Sequence, residues 1–372
     1  MTSKERLLNI LKKKSVDRVP FCPFLAYWWE AQPDSLTDLG ELVVLEKMGA
    51  DPLFRGHYPM LGKTYDEALL FTQNISDCNI NTWTEGNRRF TVYQTSKGAL
   101  TLGYRYVQES NTWFLVDHPL KEEKDFQLLT YIMQCTTLTP SYDRFLEEEQ
   151  KLGDRGLIIP VLCPELKSSF QSLVERWAGT EQIVYSLMDY PDTVLETLEA
   201  MRKVSCEAAK IAANSPASAF ITWEDTSTTN ISPSYYREYI LPEINQWCEI
   251  LHRAGKLYVQ HACGHLNDLM ADIASSPIDC LESISPMPTG NVDIEKVPQQ
   301  LPSRIAVIGG LEPTDMLNCS IEMLEKKSNR LITAFCGRAY ALSNSDSCPP
   351  GVDYEKFVRL AKLVKTQEEN NL

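Results

Sequence analysis

The sequence predicts an α/β fold, a (β/α)8 TIM barrel with an antiparallel β meander inserted near residues 88–118. Three observations lead there. From residue 120 onward short apolar strands alternate with helical stretches, the pattern of βαβ units and a parallel sheet. Early strands near 19–25 and 51–55 bring the count to about eight, which favours a closed barrel over an open doubly wound sheet. No G-x-G-x-x-G follows an early strand and no G-x-x-x-x-G-K-[ST] occurs, so dinucleotide and P-loop readings lack their phosphate cradle.

The elements follow in order. Leu7, Leu8 and Leu11 form a helical apolar stripe that Ser3 can cap, and Asp17-Arg18-Val19-Pro20 ends the segment. Val19 to Leu25 reads as a strand interrupted by Pro20 and Pro23, and a helical stretch lies near Asp38 to Met48. Arg89–Thr95 alternates, Ser96-Lys97-Gly98 turns, and 99–105, 106–109 and 112–116 continue the meander. The later strands are expected at 157–162, 219–223, 256–261, 279–284, 305–309 and 338–342, with helices at 190–213, 232–254 and 266–275 between them.

Composition limits the function. Lys plus Arg is 36 and Asp plus Glu is 50, a net charge of −14 that disfavours wholesale nucleic-acid binding. The 372 residues suit one large α/β domain or two ordinary ones, and the reading adopted is a single domain over 1–372 with a helical N-terminal region. Met1 to Lys14 mixes charge with Leu and lacks a signal-peptide core, and no window offers an apolar membrane span. A soluble, cytoplasmic protein is expected, with its 11 cysteines mostly reduced.

In a barrel the reactive groups sit at the C-terminal strand ends. The run Gln260-His261-Ala262-Cys263-Gly264 is the most informative. Residues two apart in extended chain share a face, so His261 and Cys263 point together, and an imidazole beside a thiol suits zinc. A third ligand must come from elsewhere, with Cys348, Cys336, Asp346 and Cys163 as candidates. The competing reading is that the pair simply packs, or acts as base and nucleophile. Glu224 and Asp225 close the strand at 219–223 and can serve as acid, base or hydrogen-bond acceptors, or only cap a loop. Gly309-Gly310 permits close approach by a ligand or a tight turn. Tyr27, Trp28 and Trp29 can wall a ligand near the first strand end, or pack against the meander.

Several segments together resemble the uroporphyrinogen decarboxylase superfamily, and within it the corrinoid-dependent methyltransferase branch. They are Glu5-Arg6-Leu7 through Val19-Pro20, Trp223-Glu224-Asp225, Ile231-Ser232-Pro233, Tyr239-Ile240-Leu241-Pro242, His261-x-Cys263-Gly264, Gly309-Gly310-Leu311 and Cys348-Pro349-Pro350-Gly351. The resemblance implies a (β/α)8 barrel that moves a methyl group between a small molecule (a methyl ether, methylamine or thiol) and the cobalt of a corrinoid (cobalamin) carried by a partner protein. It implies zinc on His261, Cys263 and a later cysteine. Alignment on Pro349-Pro350 puts Asp346 at that position and Cys348 two residues on, so Cys348 is the expected ligand and Asp346 the alternative. Glu224 and Asp225 then become catalytic candidates, and Tyr27, Trp28, Trp29 and Trp223 substrate-binding ones. The decarboxylase's Arg-Gln-Ala-Gly-Arg-Tyr stretch is replaced by Phe24 to Ala31 without an arginine, which leaves a polycarboxylate substrate no clamp. A decarboxylase of a different carboxylated substrate, or a non-catalytic barrel that binds a corrinoid protein, is the alternative.

Overall fold

The computed structural model describes residues 1–58, 69–108 and 112–370. Five parallel strands form one sheet in the order Tyr340–Asn344, Ala306–Leu311, Cys280–Ile284, Leu257–His261, Ala219–Trp223. Leu53–Arg55 pairs in parallel with Leu157–Ile159 as a separate sheet. Single parallel bridges join the pieces, Val161 to Ile221 and Phe21 to Leu342. The Asp51 N–H donates to the Phe21 carbonyl at 2.7 Å, so the parallel segments succeed one another in a cycle, although regular ladders do not run all the way round.

The weak points of the ladder have local causes. Pro20 and Pro23 have no N–H. Phe21 and Phe24 donate theirs to the Asp51 and Asn344 side chains, and Cys22 donates to the Leu342 carbonyl. The strand expected over 19–25 is therefore reduced to the bridge at Phe21. Pro160 likewise stops the strand at Ile159, short of the expected Leu162.

Alternate residues of these segments point inward and meet in one apolar cluster that includes Cys22, Leu53, Ile159, Ile221, Val259, Cys280, Ile308 and Ala341. That is the period of two that a strand imposes. Leu7, Ile10 and Leu11 of the first helix, Ser3–Leu11, plug the same cluster at the end where the strands begin. Thr2, rather than Ser3, caps this helix: its hydroxyl accepts from the Glu5 N–H, and the Glu5 carboxylate accepts from the Thr2 N–H. The opposite strand faces and the helices share a second, larger core around Trp177, Trp247 and Phe126.

The helix expected over 232–254 is broken into Pro233–Tyr235, a wide turn at Tyr236–Ile240, and Leu241–Arg253. Pro242 lacks the N–H that a regular turn would use, and the chain widens to accommodate it. The meander is real but longer than expected. Cys78–Glu85, Arg88–Thr95, Gly98–Val107 and Thr112–Asp117 form a four-stranded antiparallel sheet. Its first strand is almost wholly exposed and carries no apolar alternation to betray it. Glu109, included in the expected 106–109 segment, lies outside the described residues. Tyr93 docks the sheet on the rest of the chain, edge-on to Trp177 and with its hydroxyl bonded to Arg176. Among the described residues no helix is long and apolar enough to cross a membrane.

Candidate metal centre

One step of two residues beyond the apolar interior, the strands change character. Leu53 is followed on the same face by Arg55, Ile221 by Trp223, Val259 by His261, Cys280 by Glu282 and Ala341 by Ser343. His261 lies in register with Trp223 on one side and Glu282 on the other. The C-terminal end of the interior is thus a polar layer on an apolar one.

Charge runs across this layer as a chain. Arg55 Nε donates to Glu282 Oε1 at 2.7 Å, while its Nη2 reaches the Cys22 carbonyl and the Ser343 hydroxyl. The other Glu282 oxygen lies 2.6 Å from His261 Nδ1. Burial pushes the Glu282 carboxyl up, but Arg55 and His261 outweigh it and hold it below its usual value. An ionised carboxylate can only accept, so Nδ1 carries the hydrogen and Nε2 is turned toward Asp225.

Nε2 meets Asp225 and Cys263. His261 Nε2 lies 3.3 Å from Asp225 Oδ1, and the Cys263 thiol lies 3.5 Å from the same oxygen. One ligand atom from each of the three residues falls within 4.8 Å of the others, the one such grouping found among the described residues. Gly264, at φ +81°, lets the chain leave sharply after Cys263, and a Cβ there would press on Ser227 Oγ at 2.8 Å. His261 is 2 % exposed, whereas the Asp225 side chain is 39 % exposed, so the cluster is anchored on the inside and open outward. Burial opposes a charged imidazole, yet Glu282 and Asp225 raise His261 well above its ordinary value. Burial pushes the Cys263 thiol up to about 12.

The donor set fits zinc. An imidazole, a thiol and a carboxylate with one open side make three protein ligands and a free position, and a carboxylate behind the histidine orients it. Asp225, read from the sequence as an acid, base or hydrogen-bond acceptor, is the third member of this donor group. Cys348 does not join the group. It is fully buried in the large core, and its backbone is bonded to Phe24 and Trp28. Asp346 is nearer: its carboxyl, raised by burial, feels the charges of His261 and Asp225, and its φ is +112°. Cys163 is buried with its thiol toward the Lys167 carbonyl, and Cys336 lies exposed on a groove with Lys14 and Arg18.

The other expected site residues separate. Glu224 points away from Asp225, as neighbours on extended chain must, and is completely buried. It accepts from the Ser168 N–H at 2.5 Å and hydroxyl at 2.7 Å, and burial pushes it up to about 8. It ties down a loop rather than facing the open side. Trp28 and Trp29 do not wall a site either. They are buried in a short helix, Tyr27–Glu30, with the Trp28 indole bonded to the Val352 carbonyl and packed on Phe357. Tyr27 is exposed and Trp223 half-buried, the latter stacked on Phe24 and edge-on to His261. Gly309 and Gly310 are buried, with Gly310 N–H bonded to Ser345 Oγ, so they serve packing.

Arg55, Glu282 and Lys167 were not singled out from the sequence. The first two had a signal: each is the one charged residue in a short, wholly buried strand, Leu53–Arg55 and Cys280–Ile284. An unpaired charge in such a place is too costly, so a partner must exist.

The sequence profile of the uroporphyrinogen decarboxylase (URO-D) family matches residues 170–367. No curated protein matches the chain. Among solved structures, the chain is similar to a methyltransferase from Methanosarcina mazei, with a TM-score of 0.62, 13% identity and 99% of each chain covered. It is also similar to a B12-independent methionine synthase from Shewanella sp. W3-18-1 in complex with selenomethionine, with a TM-score of 0.51 and 9% identity over 95% of this chain and 99% of that one. At these identities the likeness is one of fold.

Proposed function

The chain belongs to the uroporphyrinogen decarboxylase family, and from that premise we propose that it is a zinc-dependent methyltransferase built on a (β/α)8 barrel. The observation that carries this is the Asp225, His261 and Cys263 group with His261 held from behind by Glu282. A metal held there supplies Lewis acidity to a thiol or to the heteroatom bearing a methyl group. His261 would bind through Nε2 and Cys263 through a thiolate, each after losing the proton it holds in the metal-free protein, and Asp225 through the oxygen that already faces both. Trp223 lies edge-on to His261 and the exposed Tyr27 feels the charges of Asp346 and Asp225, which makes them the residues left to shape the substrate's surroundings. The methyl group passes, in this reading, between a small molecule and the cobalt of a corrinoid on a partner protein, the part that rests on the methyltransferase resemblance.

Decarboxylation of a polycarboxylate is disfavoured by charge. Arg55, bonded to Glu282, and Lys167, bonded to Asp225 and Glu175, are each already satisfied by acidic partners. The test is the metal content of protein purified without chelators, beside Cys263→Ala. About one zinc per chain, lost in the variant together with methyl transfer to a cobalamin acceptor, is the expected result. Metal-free native protein that is still active, or a variant that keeps both properties, overturns the reading.

A further inference from the structure

We propose that Lys167 is a positioning residue that presents Asp225 to the metal, an inference that rests on the metal reading above. Asp225 has two carboxylate oxygens. Oδ1 faces His261 Nε2 and the Cys263 thiol, while Oδ2 accepts from Lys167 Nζ at 3.0 Å. A carboxylate on a half-exposed loop would otherwise rotate freely about its last bonds. With Oδ2 occupied, Oδ1 is the atom left for the ligand position.

The lysine is itself held. Its ammonium also bonds Glu175, whose second oxygen accepts from the Gln171 amide, and that amide lies 3.3 Å from the Asp225 carbonyl. Successive residues of its loop are laced to successive residues at the strand end. The Trp223 N–H donates to the Leu166 carbonyl at 2.7 Å, Lys167 holds Asp225, and the Ser168 N–H and hydroxyl hold the two oxygens of Glu224. The Ser169 N–H and hydroxyl bind Glu243 in the same way at 2.9 Å. Two completely buried carboxylates therefore fix the loop that carries Lys167. This arrangement gives Glu224 its purpose, although Glu224 does not face the ligand cluster.

Positioning and simple charge predict opposite signs. A cation beside a dication's site repels it, so loss of a mere charge would tighten zinc binding. Loss of a positioning bond weakens it, and groups behind metal ligands typically contribute 10–100-fold in affinity. Zinc affinity is measured by competition with a chromophoric chelator on the full-length chain and on Lys167→Met. The expected result is unchanged stoichiometry with affinity roughly 10–100-fold weaker, and a shifted visible absorption band in the cobalt(II)-loaded variant. Equal or tighter zinc binding, or an unchanged cobalt band, overturns the inference while leaving the metal reading intact. Failure of the native chain to bind zinc overturns the metal reading and this inference with it. If Lys167→Met does not fold, Lys167→Gln, which keeps an N–H donor on a shorter stem, is measured with the same expected direction and the same overturning result.

Discussion

A histidine buried in an apolar interior would ordinarily be neutral and free to turn, but the neighbouring carboxylates favour the charged form of His261 and fix its ring. Glu282 holds Nδ1, and Arg55 holds Glu282, so three ionisable side chains share two short bonds in a layer where none is more than 2 % exposed. Each alone would carry a desolvation cost of several kcal/mol. Glu282→Gln keeps the shape and removes the charge. It is expected to leave Arg55 uncompensated and to destabilise the metal-free protein by about 3–5 kcal/mol, read from urea unfolding. The same variant is expected to weaken zinc binding by roughly 10–100-fold. An unchanged unfolding midpoint would show that the chain of charges shares no energy with the fold.

At the scale of the element, a loop is as exact as the bonds that end it. Asp279 opens the Cys280–Ile284 strand, and its carboxylate accepts from Lys13 Nζ at 2.9 Å, from the Tyr258 N–H at 2.9 Å and pairs with His252 at 2.7 Å. It joins the turn after the first helix, the neighbouring strand Leu257–His261 and the helix Leu241–Arg253. Burial pushes this carboxyl up, but those three partners outweigh burial and hold it below its ordinary value. A carboxylate depressed in the folded state stabilises above its unfolded value of about 3.9, and the contribution is lost as pH falls through the folded value. Asp279→Asn is expected to cost about 1–3 kcal/mol at pH 7, with the difference from the native protein shrinking below pH 4. Urea titrations at pH 7 and at pH 3 decide it, and a difference that does not depend on pH would remove the carboxylate from the account.

Across the whole molecule, the cycle of parallel segments is weakest where Phe21 meets its neighbours, and Asp51 compensates there. Its fully buried carboxylate takes Arg6 at 2.7 Å, Arg18 at 2.7 and 3.0 Å, the Ser3 hydroxyl and the Phe21 N–H. The first helix, the first parallel segment and the second strand are thereby fastened at one atom group. Asp51→Ala takes the carboxylate from the buried Arg18 guanidinium and leaves Arg6 to Asp17 alone, and is expected to cost about 3–5 kcal/mol, again from equilibrium unfolding. A loss below about 1 kcal/mol, the worth of an exposed pair, would mean that apolar packing alone closes the seam.

The sequence by itself determined the parallel α/β architecture and the pairing of His261 with Cys263. Both rest on short-range periodicity: apolar runs mark strands, helical stripes mark crossovers, and residues two apart on a strand must share a face. Tertiary structure alone decided the third member of the cluster. Asp225 and His261 belong to neighbouring strands separated by a helix, and no local rule distinguishes Asp225 from Cys348 or Asp346 until the strands are in register. The burial of Trp28 and Trp29 is of the same kind, because an aromatic pair lines a mouth or fills a core according to which way one short helix turns. Arg55, Glu282 and Lys167 complete the contrast. Their charges were visible in the sequence, but a buried charge acquires its meaning from the partner that compensates it, and those partners lie 227, 21 and 58 residues away.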